Sequence, residues 1–364
     1  MHLIGEQEID DIARGATVLG TGGGGDPYIG RLLAIESIRQ YGPVRLIEAG
    51  EVPDYALVVP CAMMGAPTVI VEKLPKGDEL VDAFRSLSRF LGEPVFAAVC
   101  AEVGGLNSTT PFTVAARLGI PLVDADTMGR AFPELQMCMM TLHGISATPM
   151  SICDEKGNSA IIRAIDNRWT EALARTLTVE MGATAMIALY PMRGHQLKQA
   201  AVLGTLSLAQ QIGALMRACW ARKENPIDAV LALLGGLRLF SGKLVDVQRR
   251  TVSGFARGEA VIDGDDDWRG RRLTIQFQNE NLLASLDGDT VASVPDLITI
   301  CDAESGMAIT TEELRYGFRV VVVGMPCDRR WRSPEGLAVV GPRYFGYDSD
   351  YVPVERGRPA PESI

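Results

Sequence analysis

Gly20-Thr21-Gly22-Gly23-Gly24-Gly25-Asp26-Pro27 is the segment whose composition most needs a chemical explanation. Glycine loses more backbone freedom on folding than any other residue, so four in a row are kept where the chain takes positive φ or another group comes very close. A helix starting at Pro27 with Asp26 as N-cap would add free N–H groups and a positive dipole end, which suits an anion or a polar substrate. Thr21, the four glycines and Asp26 are therefore candidate substrate-binding residues. Three other segments offer acids and bases. Asp124-Ala125-Asp126 sets two carboxylates at strand spacing, pointing the same way, to hold a divalent cation or to divide acid and base roles. Cys100 to Asn107 supplies Glu102, paired glycines and the Asn107 amide. Of three histidines, His143 is the best ligand or general-base candidate, ahead of His195 and the terminal His2. Cys61 reads as a buried structural thiol.

Other chemistries fit less well. Gly20, Gly22 and Gly25 satisfy G-x-G-x-x-G, and Glu48 follows about 20 residues on, where a ribose-binding acid belongs. That fingerprint needs a strand before the glycines, and a helical pattern occupies the place. Nucleotide binding stands as an alternative reading. No Gly-Lys-Ser/Thr follows the glycines, no G-x-S-x-G elbow is present, and the Asp263 to Asp267 run lacks the glutamate of a calcium loop, so it reads as a solvated turn.

The elements that must position these residues follow from apolar spacing. Ile9, Ile12, Ala13 and Ala16 recur at i, i+3, i+4 and i+7, predicting a helix that runs into the glycines. Short apolar runs at 44–47, 55–59, 94–100 and 120–123 read as strands, with helices at 80–91 and 111–118 between the later ones. Strand–helix alternation with continuous apolar strands predicts parallel βαβ units, a Rossmann-like first domain whose ligands gather at the strand carboxyl ends. Short strands fill 147–165, and a helix begins near Trp169. After a long small-residue helix at 205–222, runs at 243–252, 260–262, 271–277, 282–286, 297–301 and 319–324 predict a β-rich second domain. The domain expectation is 1–166, 167–352 and an extended tail at 353–364. A length of 364 residues suits two domains, at roughly one per 150 residues.

With 45 acidic against 35 basic residues the chain carries a formal charge of −10, which disfavours nucleic acid and anionic membrane surfaces as partners. No window offers the ~20 apolar residues of a membrane span and no leader is evident, while seven scattered cysteines without C-x-x-C argue against a disulfide framework. A cytoplasmic protein is expected. The small-residue face of 205–222 suits close helix packing, within one subunit or in a homo-oligomer.

Six strings go beyond such patterns: LGTGGGGDP (19–27), GAPTVIVEK (65–73), AEVGGLNSTTPFTVAARLGIPLVDADTMGRAFPELQM (101–137), GTLSLAQQIG (204–213), GKLVDVQRRTVSGFARG (242–258) and FQNENL (277–282). They resemble the S-methyl thiohydantoin desulfurase-like family, associated with hydantoin utilisation, over nearly the whole chain. The resemblance implies an α/β domain joined to a β-rich domain of the swivelling β/β/α type. It also implies hydrolysis of a small five-membered cyclic imide-type ring, with loss of a sulfur substituent to leave a hydantoin and a thiol. Such chemistry needs an activated water, stabilisation of a tetrahedral intermediate and a proton for the leaving group. A divalent metal, zinc first among them, would supply the first two. The expectation is then a hydrolase with its site in an interdomain cleft: Glu102 as general base, Asp124, Asp126 and His143 as metal ligands or proton-transfer groups, and the glycine loop with Asn107 on the substrate. The rival expectation is a non-catalytic subunit of a hydantoinase-type enzyme.

Overall fold

A computed structural model of the chain describes residues 2–65, 69, 77–252 and 254–356. Most of the GAPTVIVEK string and residues 357–364 of the expected tail lie outside the described residues. The chain forms two compact units that are discontinuous in sequence. The first takes Met1–Leu19, Gly24–Ala214 and Ser253–Phe255; the second takes Gly20–Gly23, Leu215–Val252 and Ala256–Ile364. Residues 167–214, assigned from the sequence to the second domain, thus group with the first unit.

In the first unit, β1 (His2–Ile4) precedes α1 (Glu6–Leu19), whose Ile9, Ile12, Ala13 and Ala16 are buried as their spacing requires. α2 (Pro27–Tyr41) leads to β2 (Val44–Ile47) and β3 (Leu57–Gly65), and α3 (Asp78–Leu91) ends at Gly92 in the left-handed region. β4 (Ala97–Cys100), α4 (Thr110–Leu118), β5 (Leu122–Val123) and β6 (Ala125–Asp126) follow. Then come α5 (Met139–Leu142), the hairpin β7 (Met150–Cys153) and β8 (Ser159–Ile162), α6 (Asn167–Glu180), β9 (Thr184–Ala188), β10 (Met192–Arg193), α7 (Gly194–Ala200), β11 (Val202–Leu203) and α8 (Thr205–Ala221).

The expected parallel core is present: β2, β5, β4 and β3 are neighbours and parallel. The sheet is nevertheless mixed, because β1, β9, β10, β7 and β8 extend it by antiparallel pairing in the order β1-β2-β5-β4-β3-β9-β7-β8, with β10 on β3. Apolar runs define strands but leave their direction open, and here the chain after α6 returns beside β3 the opposite way. A helix, not a strand, precedes the glycine run, so the strand–turn–helix of a dinucleotide site is not formed there.

The small-residue face of α8 is used within the chain. A methyl on Gly213 would stand 1.9 Å from the Asp11 carbonyl oxygen of α1, and one on Gly15 would stand 1.9 Å from that of Ala209, so the two backbones touch where side chains would part them.

The second unit holds the rest of α8, α9 (Ile227–Leu234) and a seven-stranded antiparallel sheet: β12 (Leu237–Val252), β13 (Phe255–Gly264), β14 (Arg272–Gln278), β15 (Glu280–Leu286), β16 (Asp289–Ser293), β17 (Leu297–Asp302) and β18 (Arg319–Met325). Its order is β16-β15-β14-β13-β12-β18-β17. β15 and β17 lie near opposite ends of that order, yet Asn281 Nδ2 donates to the Ile298 carbonyl across 2.9 Å, which shows the sheet curling into a half-barrel. Phe240, Ile262, Ile275, Phe277, Ile300 and Val322 fill its concave core. Beyond α10 (Pro334–Val340), Val354 is fully buried and its N–H donates to Asp296, so the start of the expected tail is docked at Val354. Among the described residues no helix is long and apolar enough to cross a membrane.

Candidate active site

β4 delivers Cys100 to the carboxyl edge of the parallel strands, and the turn that follows is buried throughout residues 101–108. Buried backbone must satisfy its polar groups internally, and two side chains do much of this here. Asn107, in the short helical turn Gly105–Ser108, accepts from Met63 N–H at 2.7 Å and donates to the Met63 carbonyl at 3.1 Å, which fastens the turn to the end of β3. The same Nδ2 group donates to Glu102 Oε1 at 2.6 Å. Asp126, at the end of β6, accepts from Val103 N–H at 2.9 Å, from Met128 N–H at 3.2 Å and from Gly129 N–H on both oxygens.

Glu102 is 7% exposed. Burial pushes its carboxyl up to about 7, against the opposing pull of the Asn107 amide, the Phe132 backbone and the Arg130 charge. A carboxyl group poised near neutrality and held by a fixed amide can give and take a proton at physiological pH. Burial also pushes Asp126 up to about 7, but its oxygens are committed to backbone donors that pull the other way. Arg130 is fully buried, donates from Nε to the Ala131 carbonyl at 2.9 Å and lies over the Phe132 ring, 4.6 Å from its centroid. Cys61 and Cys100 are neighbours in register on β3 and β4; burial raises both thiols well above their ordinary range, which removes them as nucleophiles near neutral pH.

The first unit thus brings Glu102, Asn107 and Asp126 together, and it separates Asp124 from them in function. Asp124 Oδ1 accepts from the Leu206 and Ser207 amides at 3.1 and 3.0 Å, and Oδ2 from the Ser207 hydroxyl at 2.5 Å, so this carboxylate caps the start of α8. Asp124 sits between β5 and β6 instead of within one continuous strand, and the alternation that would align it with Asp126 is broken there. His143 is exposed at the C-terminal end of α5, and His195 is exposed beside the Asp54 carbonyl. Asp124, Asp126 and His143 do not fit a shared metal ion: two have their oxygens taken by amides and the third faces solvent. Among the described residues no group of three or more His, Cys, Asp or Glu is arranged as such a site.

The glycine run is divided between the units after Gly23. In the first unit, Leu106 N–H donates to the Gly24 and Gly25 carbonyls at 2.9 and 3.2 Å, and a methyl on Gly24, at φ +75°, would stand 2.5 Å from the Gly104 carbonyl carbon. Asp26 is the N-cap of α2, accepting from Tyr28 N–H at 2.9 Å. In the second unit, Thr21 O accepts from Asn281 N–H and Gly22 O from Thr311 N–H, both at 2.8 Å, while a methyl on Gly23 would overlap Glu280, 2.0 Å from Oε1. The group that approaches these glycines closely belongs to the chain itself. Gly24→Ala is accordingly expected to lower stability by about 1–3 kcal/mol, because the clash is with backbone that cannot swing away. Gly42→Ala, at φ +97° with nothing within 4 Å, isolates the cost of positive φ alone; urea midpoints of the two variants make the comparison.

Sequence reasoning passed over Arg130 and the hairpin Gln278-Asn279-Glu280-Asn281. All four hairpin residues are buried, with Asn279 at φ +58° between β14 and β15. The signal was in the FQNENL string: four consecutive polar residues between apolar strands, lacking the glycine of a solvated turn. Arg130, set between Gly129 and Ala131-Phe132, carries no comparable mark.

The chain matches the family model described as S-Me-THD-like, N-terminal domain, over residues 7–164, and that described as S-Me-THD-like, C-terminal domain, over residues 165–354. Among solved structures it is similar to an X-ray crystal structure of a protein from Chromobacterium violaceum, with 25% identity, a TM-score of 0.80, and coverage of 97% of this chain and 100% of that one. No curated protein matches it. With both domain models matched in order across almost its whole length, the chain belongs to the S-Me-THD-like family.

Proposed function

We propose that this protein is a hydrolase that removes the sulfur substituent from an S-methyl thiohydantoin or a related five-membered ring, with Glu102 as general base. The observation that supports this most is the Glu102 carboxyl: buried, held at 2.6 Å by Asn107 and poised near neutrality, in a chain of the S-Me-THD-like family. In this reading ionised Glu102 takes a proton from water as the water oxygen bonds to the ring carbon that bears sulfur. The C=N bond at that carbon opens onto the ring nitrogen, which takes the second water proton; the tetrahedral intermediate then collapses with cleavage of the carbon–sulfur bond, and the proton held by Glu102 passes to the leaving sulfur. Water is consumed, a ring carbonyl is formed and methanethiol is released, so no oxidant or reductant is needed. Asn107 is a positioning residue, fixing the carboxylate through a bond that itself rests on Met63 of β3.

The test is thiol release from an S-methyl thiohydantoin by the purified protein, with the ring product identified by mass. Because the base acts in its ionised form, kcat/KM is expected to fall about tenfold per pH unit below the Glu102 pKa of about 7 and to be flat just above it. An absence of turnover from about pH 5 to about pH 9 would remove the catalytic reading. A rate independent of pH across that range would remove Glu102 as the base.

A further inference from the structure

The flank of α3 faces the β7–β8 hairpin across a polar cleft of about 240 Å³, lined by Asp82, Arg85, Ser86, Arg89, Asp154 and Asn158 among others. The helix residues stand at i, i+3, i+4 and i+7, a single stripe on one face, and every one of them is polar. In a chain of net charge −10 many arginines find an acid, as Arg117 does with Asp78 and Arg193 with Glu93. Arg85 and Arg89 do not: among the described residues neither side chain has an ion pair or a hydrogen bond.

The hairpin opposite does not neutralise them. Asp154 Oδ1 accepts from the Lys156 and Asn158 amides at 3.0 and 2.8 Å, and Oδ2 from Asn158 Nδ2 at 2.7 Å, so this carboxylate is turned into its own turn. Asp82 lies on the same stripe and pairs with neither arginine. Two like charges one helical turn apart repel, and the repulsion is relieved when an anion bridges them. Guanidinium groups are suited to this, since each offers a planar pair of donors that matches the edge of an oxyanion.

We infer that the cleft between α3 and the β7–β8 hairpin is a binding site for the oxyanion head, carboxylate or phosphate, of a small polar molecule, held by Arg85 and Arg89. Its size suits a ligand smaller than a nucleotide, and its polar lining disfavours an apolar one. The site is separate from the Glu102 chemistry and does not depend on it.

The experiment titrates the full chain with inorganic phosphate and, separately, with succinate at low ionic strength, following the guanidinium Nε–H resonances and the heat of binding. Saturable binding of either anion, weakened about tenfold or more in Arg85→Gln/Arg89→Gln, is the expected result. Preference for phosphate identifies a phosphorylated ligand and preference for succinate a carboxylate one, and either supports the site. Asp82→Asn is expected to tighten binding by removing a repelling charge. Both arginines are exposed, so an unchanged circular dichroism spectrum and melting temperature check that the double variant is folded. Equal affinity in the wild type and the double variant, or no saturable binding of either anion, overturns the inference.

Discussion

Glu102→Gln is expected to lower the rate of thiol release by about 10²–10⁴-fold, the usual contribution of a positioned general base. The substitution keeps the side-chain length but removes the proton acceptor, so the loss should fall on kcat more than on KM, and the acid limb of the pH profile should vanish with it. Asn107→Ala serves as its companion. Truncation frees the Glu102 carboxylate and also releases the end of β3, so a smaller fall in kcat is expected, together with a shifted pH profile that a purely structural role would not produce. A second readout of Glu102→Gln needs no substrate. The Glu102 pKa is raised from 4.5 to about 7 on folding, so its contribution to stability is fully present below about 4.5 and is lost as pH rises through about 7. At higher pH the buried charge costs on the order of 3 kcal/mol. The stability of the wild type should therefore fall from pH 4.5 toward 8, and that of Glu102→Gln should fall less, the remainder belonging to Asp126. Equal slopes in urea unfolding series would show that Glu102 is not a buried acid.

Arg332→Met is expected to cost the second unit about 3–5 kcal/mol, because it strips the cationic partner from a carboxylate with no access to solvent. Asp296 is 0% exposed and gathers Arg332 at 2.7 Å, the Tyr351 hydroxyl at 2.7 Å and the amides of Cys327 and Val354 at 3.1 and 2.9 Å. One carboxylate thus ties Cys327, Arg332 and the Tyr351–Val354 stretch to the turn before β17. The double variant Asp296→Asn/Arg332→Met should regain part of the loss, since no uncompensated charge is left inside, and the difference gives the coupling of the pair. A denaturation midpoint within experimental error of the wild type in the single variant would show that Tyr351 and the amides suffice alone.

Much of the architecture could be read from local pattern. The helix after the glycines, the Gly92 stop of α3, the parallel strands near 57–65, 97–100 and 122–123 and the strand-rich second half all follow from apolar period and turn residues, which act over a few positions. The antiparallel additions to the first sheet did not follow, because pairing partner and direction depend on how distant segments return. Of the candidate site, Glu102 and Asn107 were legible as an acid and an amide just past a strand end, where buried turns need such groups. Asp124 and Asp126 looked equivalent on the page. Their roles diverge because the amides of α8 reach one and those of residues 103, 128 and 129 reach the other.

What the sequence determined by itself was the family, the order of elements and the presence of an acid beside an amide at the end of β4: these rest on residue identity and spacing along the chain. Only the tertiary structure decided what stands against the glycines, which carboxylates are spent on backbone and which are buried enough to hold a proton near neutrality. Those outcomes depend on burial and on donors as distant in sequence as Leu206 for Asp124 and Asn281 for Thr21, and neither solvent exclusion nor a distant amide leaves a mark in local spacing.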